Sequence, residues 1–102
     1  MAGKIIFLDI DMTLVGRKGT IPEIAVTAVR AARAAGNRVY ACTGRCKAEM
    51  YQPIWEMGLD GMIGGNGAYV EDDGQAIYDR NLDPAVEREQ VDWLVEKGIG
   101  FY

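Results

Sequence analysis

Residues Lys4-Ile5-Ile6-Phe7-Leu8-Asp9-Ile10 are the run that most limits what this chain can fold into. Apolar side chains fill both sets of alternate positions, the pattern of a strand buried on two faces in a parallel sheet; a strand with one wet face would alternate. The run closes on acid, with Asp9 inside its end and Asp11 just after Ile10. Two carboxylates at a dry strand end are costly to ionise unless a cation or hydrogen-bond donors balance them.

The segments that follow alternate between helix and strand. Thr20-Ile21-Pro22-Glu23 reads as a capping box with Pro22 in the first helical turn, where its missing N–H costs nothing. The helix it opens puts Ile24, Ala28, Ala31 and Ala35 on one stripe, carries Arg30 and Arg33 near its end, and stops at Gly36. Residues 38–42 read as a second strand. Thr43-Gly44-Arg45 begins a second helix, which Pro53 breaks into two short pieces ending at Gly58. Residues 61–65 form a third strand leading to Asn66-Gly67. Tyr69-Val70 and Ala76-Ile77-Tyr78 then flank an Asp72-Asp73-Gly74 turn as a hairpin. From Pro84, the residues Val86, Val91, Leu94 and Val95 support a further helix ending at Gly98, and residues 100–102 begin a strand.

Composition narrows the chemistry. The chain has no histidine, which removes Ser-His-Asp and Cys-His catalysis and His-ligated zinc. Its 102 residues, 49% apolar, suit one folded domain, and a net charge of −4 sets aside nucleic acid and anionic membranes as partners. The apolar run at residues 5–8 is too short for a signal segment or a membrane span, so a cytoplasmic protein is expected. Cys42 and Cys46, four apart, match no zinc or disulfide framework and are expected as free thiols.

Strand, helix, strand, helix, strand is the order of right-handed crossovers in an α/β fold with a Rossmann-like parallel sheet, where ligands sit beyond the carboxyl ends of the strands. Those ends carry Asp9 and Asp11, then Thr43 and Gly44, then Asn66. An acid pair suits Mg²⁺, which takes oxygen ligands and tolerates phosphate oxygens in its shell. A Thr-led helix start suits a phosphoryl oxygen. Taken singly, the acids also fit an Asx turn closing the strand, and Thr43 also fits a plain N-cap.

Asp9-Ile10-Asp11-Met12-Thr13-Leu14 resembles motif I of the haloacid dehalogenase-like (HAD) hydrolases, and Ala41-Cys42-Thr43-Gly44-Arg45 resembles their motif II. Ile63-Gly64-Gly65-Asn66-Gly67-Ala68-Tyr69-Val70 is similar to the Asn-Gly-Ala segment of the Cof-type (subclass IIB) sugar-phosphate phosphatases in that superfamily. The resemblance implies an Mg²⁺-dependent phosphohydrolase of small phosphorylated metabolites. Asp9 would be the nucleophile forming an aspartyl-phosphate, and Asp11 the proton carrier. Asp9 and the Asp11 backbone carbonyl would hold the metal. Thr43 and Gly44 would bind the phosphoryl group, with Arg45 and Asn66 on the substrate side.

Residues 1–67 would then be a partial HAD-like core, and 68–102 the start of an α+β cap, its hairpin and helix. Two departures stand out: Met12 replaces the family's usual Gly, and the family's downstream lysine and acidic pair have no counterpart after Asn66. The expectation is a truncated or incomplete form with weak or no activity. Its first strand would lie at an exposed apolar sheet edge through which copies would associate as a homo-oligomer. The competing reading is a non-catalytic α/β interaction module working through that edge. A phosphoacceptor receiver domain fits poorly, because Gly64, Gly65 and Asn66 stand where its acceptor Asp belongs. Glu71, Asp72 and Asp73 read as a solvated hairpin tip. Met50, Ile54 and Met57 read as core, Trp55 and Trp93 as packing anchors, and Arg17 and Lys18 as an exposed loop.

Overall fold

The structure is a computed structural model of the 102-residue chain and describes residues 3–101. It is an α/β fold built on a five-stranded sheet in the order β1-β2-β3-β4-β5, with β1 Ile5–Leu8, β2 Arg38–Cys42, β3 Gly61–Gly64, β4 Tyr69–Asp72 and β5 Gln75–Asp79. The first three strands are parallel and Rossmann-like, and the hairpin β4–β5 extends the sheet antiparallel. Asp73 and Gly74 both take positive φ, 48° and 78°, which is the type I′ turn that Asp-Gly favours.

Helix α1 spans Glu23–Ala34. The expected capping box does not form: Pro22 occupies the cap position with no side-chain bond, its fixed φ alone setting the helix entry. The buried face is also rotated from the expected stripe. Val29 is buried with Ala25, Val26 and Ala32 beside it, while Ile24 is 79% exposed. Alanine-rich helices leave the stripe underdetermined, because two faces are nearly equally apolar. Gly36, at φ 92°, ends the helix as expected, and Gly36 and Asn37 donate to the Arg33 and Ala32 carbonyls.

The region after β2 departs from expectation. No helix starts at Thr43; a 3-10 turn at Lys47–Glu49 precedes a short helix α2, Gln52–Glu56. Pro53 sits in the first turn of α2 and starts it rather than breaking a longer helix. Met50, Ile54 and Met57 are buried as expected, joined by Ile10, Leu14, Val39, Ala41 and Met62. Helix α3, Pro84–Glu96, is capped by the Asp83 side chain, which accepts the Ala85 N–H at 2.9 Å. No residue of α3 is buried and Trp93 is half exposed, so Trp55 anchors packing and Trp93 does not. Gly100 and Phe101 form no strand, and Tyr102 lies outside the described residues.

Strand β1 is shorter than its apolar run and is not buried on both faces. Ile6 and Leu8 pack toward the core, whereas Ile5 and Phe7 are 61% and 55% exposed. Helices α1 and α2 pack on one face of the sheet, leaving Ile5, Phe7 and Tyr40 on the other, with the Phe7 and Tyr40 rings 5.9 Å apart. As expected, β1 is an edge strand with one side unpaired.

The rim opposite the strand ends is held by charge. Buried Asp60 accepts two bonds from Arg33, at 2.8 and 3.0 Å, and the Val39 N–H at 2.8 Å. Arg38 donates to the Tyr40 hydroxyl and to Asp72, and it also pairs with Asp73. The solvated-tip expectation holds for Asp73, whose side chain is 68% exposed, and fails for Glu71, which is buried. Asp72 and Asp73 neutralise Arg38, and Glu71 points into the protein, because β-alternation sends it to the same face as buried Met62.

Candidate active site

The loop after β1 is wound around one carbonyl. Ile10 O accepts the N–H groups of Thr13, Leu14 and Val15 at 3.3, 3.0 and 2.8 Å, while Ile10, Leu14 and Val15 bury themselves beneath it. That anchoring leaves Asp9 and Asp11 exposed on the rim. Met12 lies between Asp11 and Thr13 in the left-handed region, at φ 65°, and its side chain is exposed. The family's usual glycine would take that conformation without strain.

At the end of β2, Thr43 is buried, donates its N–H to Ile63 O at 2.9 Å, and accepts the Arg45 N–H on its hydroxyl at 3.0 Å. The anion site expected at a helix start is therefore a turn, closed by the threonine itself. Asn66, after β3, takes φ 54° and ψ 36° and donates its N–H to Thr43 O at 3.3 Å. Gly65 donates to Arg45 O at 2.9 Å, so the two loops are joined by backbone bonds. A Cβ on Gly44 would come 3.1 Å from Asn66 Oδ1, so the absence of a side chain lets Asn66 lie over that backbone.

Asp9, Thr43, Gly44 and Asn66 line one open cavity of about 720 Å³, whose remaining wall includes Phe7, Cys42 and Ile63. Four predicted residues from three strand ends are thus brought together. Asp11 and Arg45 do not line it and instead pair with each other. Arg45 Nε donates to Asp11 Oδ2 at 2.9 Å, and a terminal guanidinium nitrogen donates to Oδ1 at 2.7 Å. Glu49 O accepts from Arg45 at 3.1 Å, and the Tyr51 ring lies 5.5 Å from the guanidinium carbon. The Arg45 hydrogen bonds hold the Asp11 carboxyl below its usual range. Among the described residues the Asp9 carboxylate accepts one hydrogen bond, from the N–H of Ile10 at 2.8 Å.

Among the described residues no three acids or thiols gather in a metal-binding cluster. Mg²⁺ is commonly held by one or two carboxylates with water and phosphate oxygens completing its shell. Asp9, with little competing for its oxygens, fits that donor type, while the Asp11 carboxylate is committed to Arg45 and leaves its backbone carbonyl as the second donor. Cys42 and Cys46 are both free thiols.

One polar group beside the site escaped the sequence reading. Lys47 Nζ pairs with Glu71, which also accepts the Tyr69 hydroxyl at 2.8 Å. Tyr69 and Glu71 are alternate residues of β4, and Glu71 lies opposite buried Met62, so a charge there needs a partner.

The profile of the haloacid dehalogenase-like hydrolase family matches residues 6–102. Over 82 residues the chain is 32% identical to "Putative phosphatase YkrA" of Bacillus subtilis (strain 168), covering 80% of this chain and 32% of that protein. The crystal structure of a hypothetical protein from Geobacillus kaustophilus HTA426 superposes with a TM-score of 0.78 at 27% identity, over 96% of this chain and 38% of that one. BT4131, a HAD subclass IIB sugar phosphatase, superposes with a TM-score of 0.67 at 29% identity, over 95% of this chain and 38% of that one. The chain thus spans about a third of the length of the curated relative described here. With that family's model matching residues 6–102, the chain belongs to the haloacid dehalogenase-like hydrolases.

Proposed function

We propose that this chain carries the nucleophile-bearing part of an Mg²⁺-dependent phosphohydrolase of small phosphorylated metabolites such as sugar phosphates. The observation that carries the reading is the single cavity shared by Asp9, Thr43, Gly44 and Asn66. An Asp9 carboxylate oxygen attacks phosphorus, the bond to the leaving oxygen breaks, and Asp11 supplies the proton that oxygen needs. Water then attacks the aspartyl-phosphate while Asp11 takes its proton, inorganic phosphate departs and Asp9 is restored. The Thr43 hydroxyl and Gly44 amide hold phosphoryl oxygens and Asn66 faces the substrate, while Arg45, outside the cavity and paired with Asp11, turns to the substrate side on leaving that pair. Asp9 and the Asp11 carbonyl would hold Mg²⁺, which would supply charge neutralisation. The Arg45 pair keeps Asp11 ionised, the form the hydrolytic half needs; the first half requires Arg45 to release it.

Residues 1–67 act in this reading as a partial core and 68–102 as the start of a substrate-selecting cap. With two metal donors and, among the described residues, no cluster of three acids, these 102 residues alone turn over weakly or not at all. The unpaired β1 edge supports association of copies through it, and the reading is of a cytoplasmic protein; no described helix is long and apolar enough to cross a membrane. That same edge is the one observation favouring the second reading, a non-catalytic interaction module. Hydrolysis of p-nitrophenyl phosphate with Mg²⁺ separates the two. Slow, metal-dependent turnover that vanishes in Asp9→Asn supports the enzyme, and a rate unchanged by that substitution overturns it.

A further inference from the structure

The phosphate-side loop and the Asn66 loop must keep their relative position for the cavity to exist, yet few groups hold them together. Two backbone bonds join them, Gly65 N–H to Arg45 O at 2.9 Å and Asn66 N–H to Thr43 O at 3.3 Å. Just beyond each loop lies one half of an ion pair. Lys47 follows Arg45 by two residues, in the 3-10 turn, and Glu71 follows Asn66 by five, on β4. Glu71 is 5% exposed. Its carboxylate takes the Lys47 ammonium and the Tyr69 hydroxyl, and the ammonium lies 5.7 Å from the centre of the Tyr69 ring.

We infer that Lys47 is a positioning residue for the anion cavity, acting through Glu71 to pin the Thr43–Arg45 loop against the Asn66 loop; the inference rests on the phosphate-binding reading of that cavity. A buried carboxylate with a single cationic partner is a strong local constraint, because separating the pair leaves a charge in a dry place. The Lys47 side chain is itself 55% exposed, so the constraint comes from the Glu71 end of the pair, the end that separation would leave dry. The site thus depends on a residue that touches no substrate, and β4 becomes the strut that carries the constraint back to the sheet.

Amide exchange by NMR on the intact chain tests this without any ligand. In Lys47→Met, the Gly65 and Asn66 amides exchange about tenfold faster, while Val39 and Ala41 in the sheet keep their native rates. Glu71→Gln gives the same local acceleration, and Lys47→Arg, which retains the cation, restores slow exchange. Titration with inorganic phosphate in the presence of Mg²⁺ gives the functional readout: affinity falls about tenfold in Lys47→Met and returns in Lys47→Arg. Acceleration spread equally over the sheet amides, unchanged Gly65 and Asn66 rates, or an arginine no better than methionine each overturns the inference. If the native chain takes up no phosphate, the proposed function falls and the exchange rates still decide the positioning role.

Discussion

Asp60 is the charge whose removal has the most predictable consequence. Its carboxylate is buried and satisfies two separate needs, the Val39 N–H at 2.8 Å and the Arg33 guanidinium at 2.8 and 3.0 Å. In Asp60→Ala the buried Val39 N–H, inside β2, loses its acceptor, a cost of about 2 kcal/mol. Arg33 is partly exposed and rehydrates, so its loss adds only about 1 kcal/mol. The total of about 3 kcal/mol is a large share of the ~5–15 kcal/mol expected for a domain of this size, and it lowers Tm by about 12 °C. Asp60→Asn keeps an acceptor for Val39 and loses only charge, so it costs about 1 kcal/mol. The Arg33 hydrogen bonds hold the Asp60 carboxyl below its ordinary range. Its contribution is therefore complete above the unfolded carboxylate pKa of about 3.9 and is lost as pH falls through the lower folded value. Urea titrations of the three proteins at neutral pH and at about pH 3 check this, with the gap between native chain and Asp60→Asn closing in acid. Equal losses for the alanine and asparagine variants at neutral pH would refute the argument, since the Val39 acceptor is what separates them.

Met12→Gly relieves a left-handed backbone at φ 65° and raises stability by about 1 kcal/mol, measurable as a higher melting temperature; a lower one would sink the strain argument. In Arg45→Met the Asp11 carboxyl rises toward its ordinary pKa, because the guanidinium is what holds it down. Carboxyl ¹³C titration reads that shift, and an unmoved Asp11 would assign the effect elsewhere.

Periodicity made the three parallel strands and the hairpin legible, because each is a short apolar run bounded by Gly, Pro or Asp. The Asp73-Gly74 turn was readable from its dipeptide alone. What failed to show was tertiary. The sequence of α1 offers two apolar faces, and only packing against Val39 selects Val29 over Ile24. A Thr-Gly-Arg segment fits a helix start as well as the turn that forms, and the choice depends on bonds to Ile63 in β3 and to Asn66 in the loop after it, far along the chain. The strand-end logic placed Asp9, Thr43, Gly44 and Asn66 at one cavity. It could not anticipate that Asp11 and Arg45 would satisfy each other, since a bidentate fork depends on loop geometry.

The one-sided covering of the sheet bears on how this molecule responds to denaturant. Its accessible surface of 7310 Å² exceeds by about 1,600 Å² the value that surface-to-mass scaling gives a compact protein of its size. Much of what unfolding ordinarily wets is wet already, Ile5, Phe7 and Ile77 on the sheet among it. The increment in solvation on melting is correspondingly small, which flattens the urea dependence and shrinks the heat-capacity step. An environment-sensitive dye should light up on the native chain itself, before any denaturant is added.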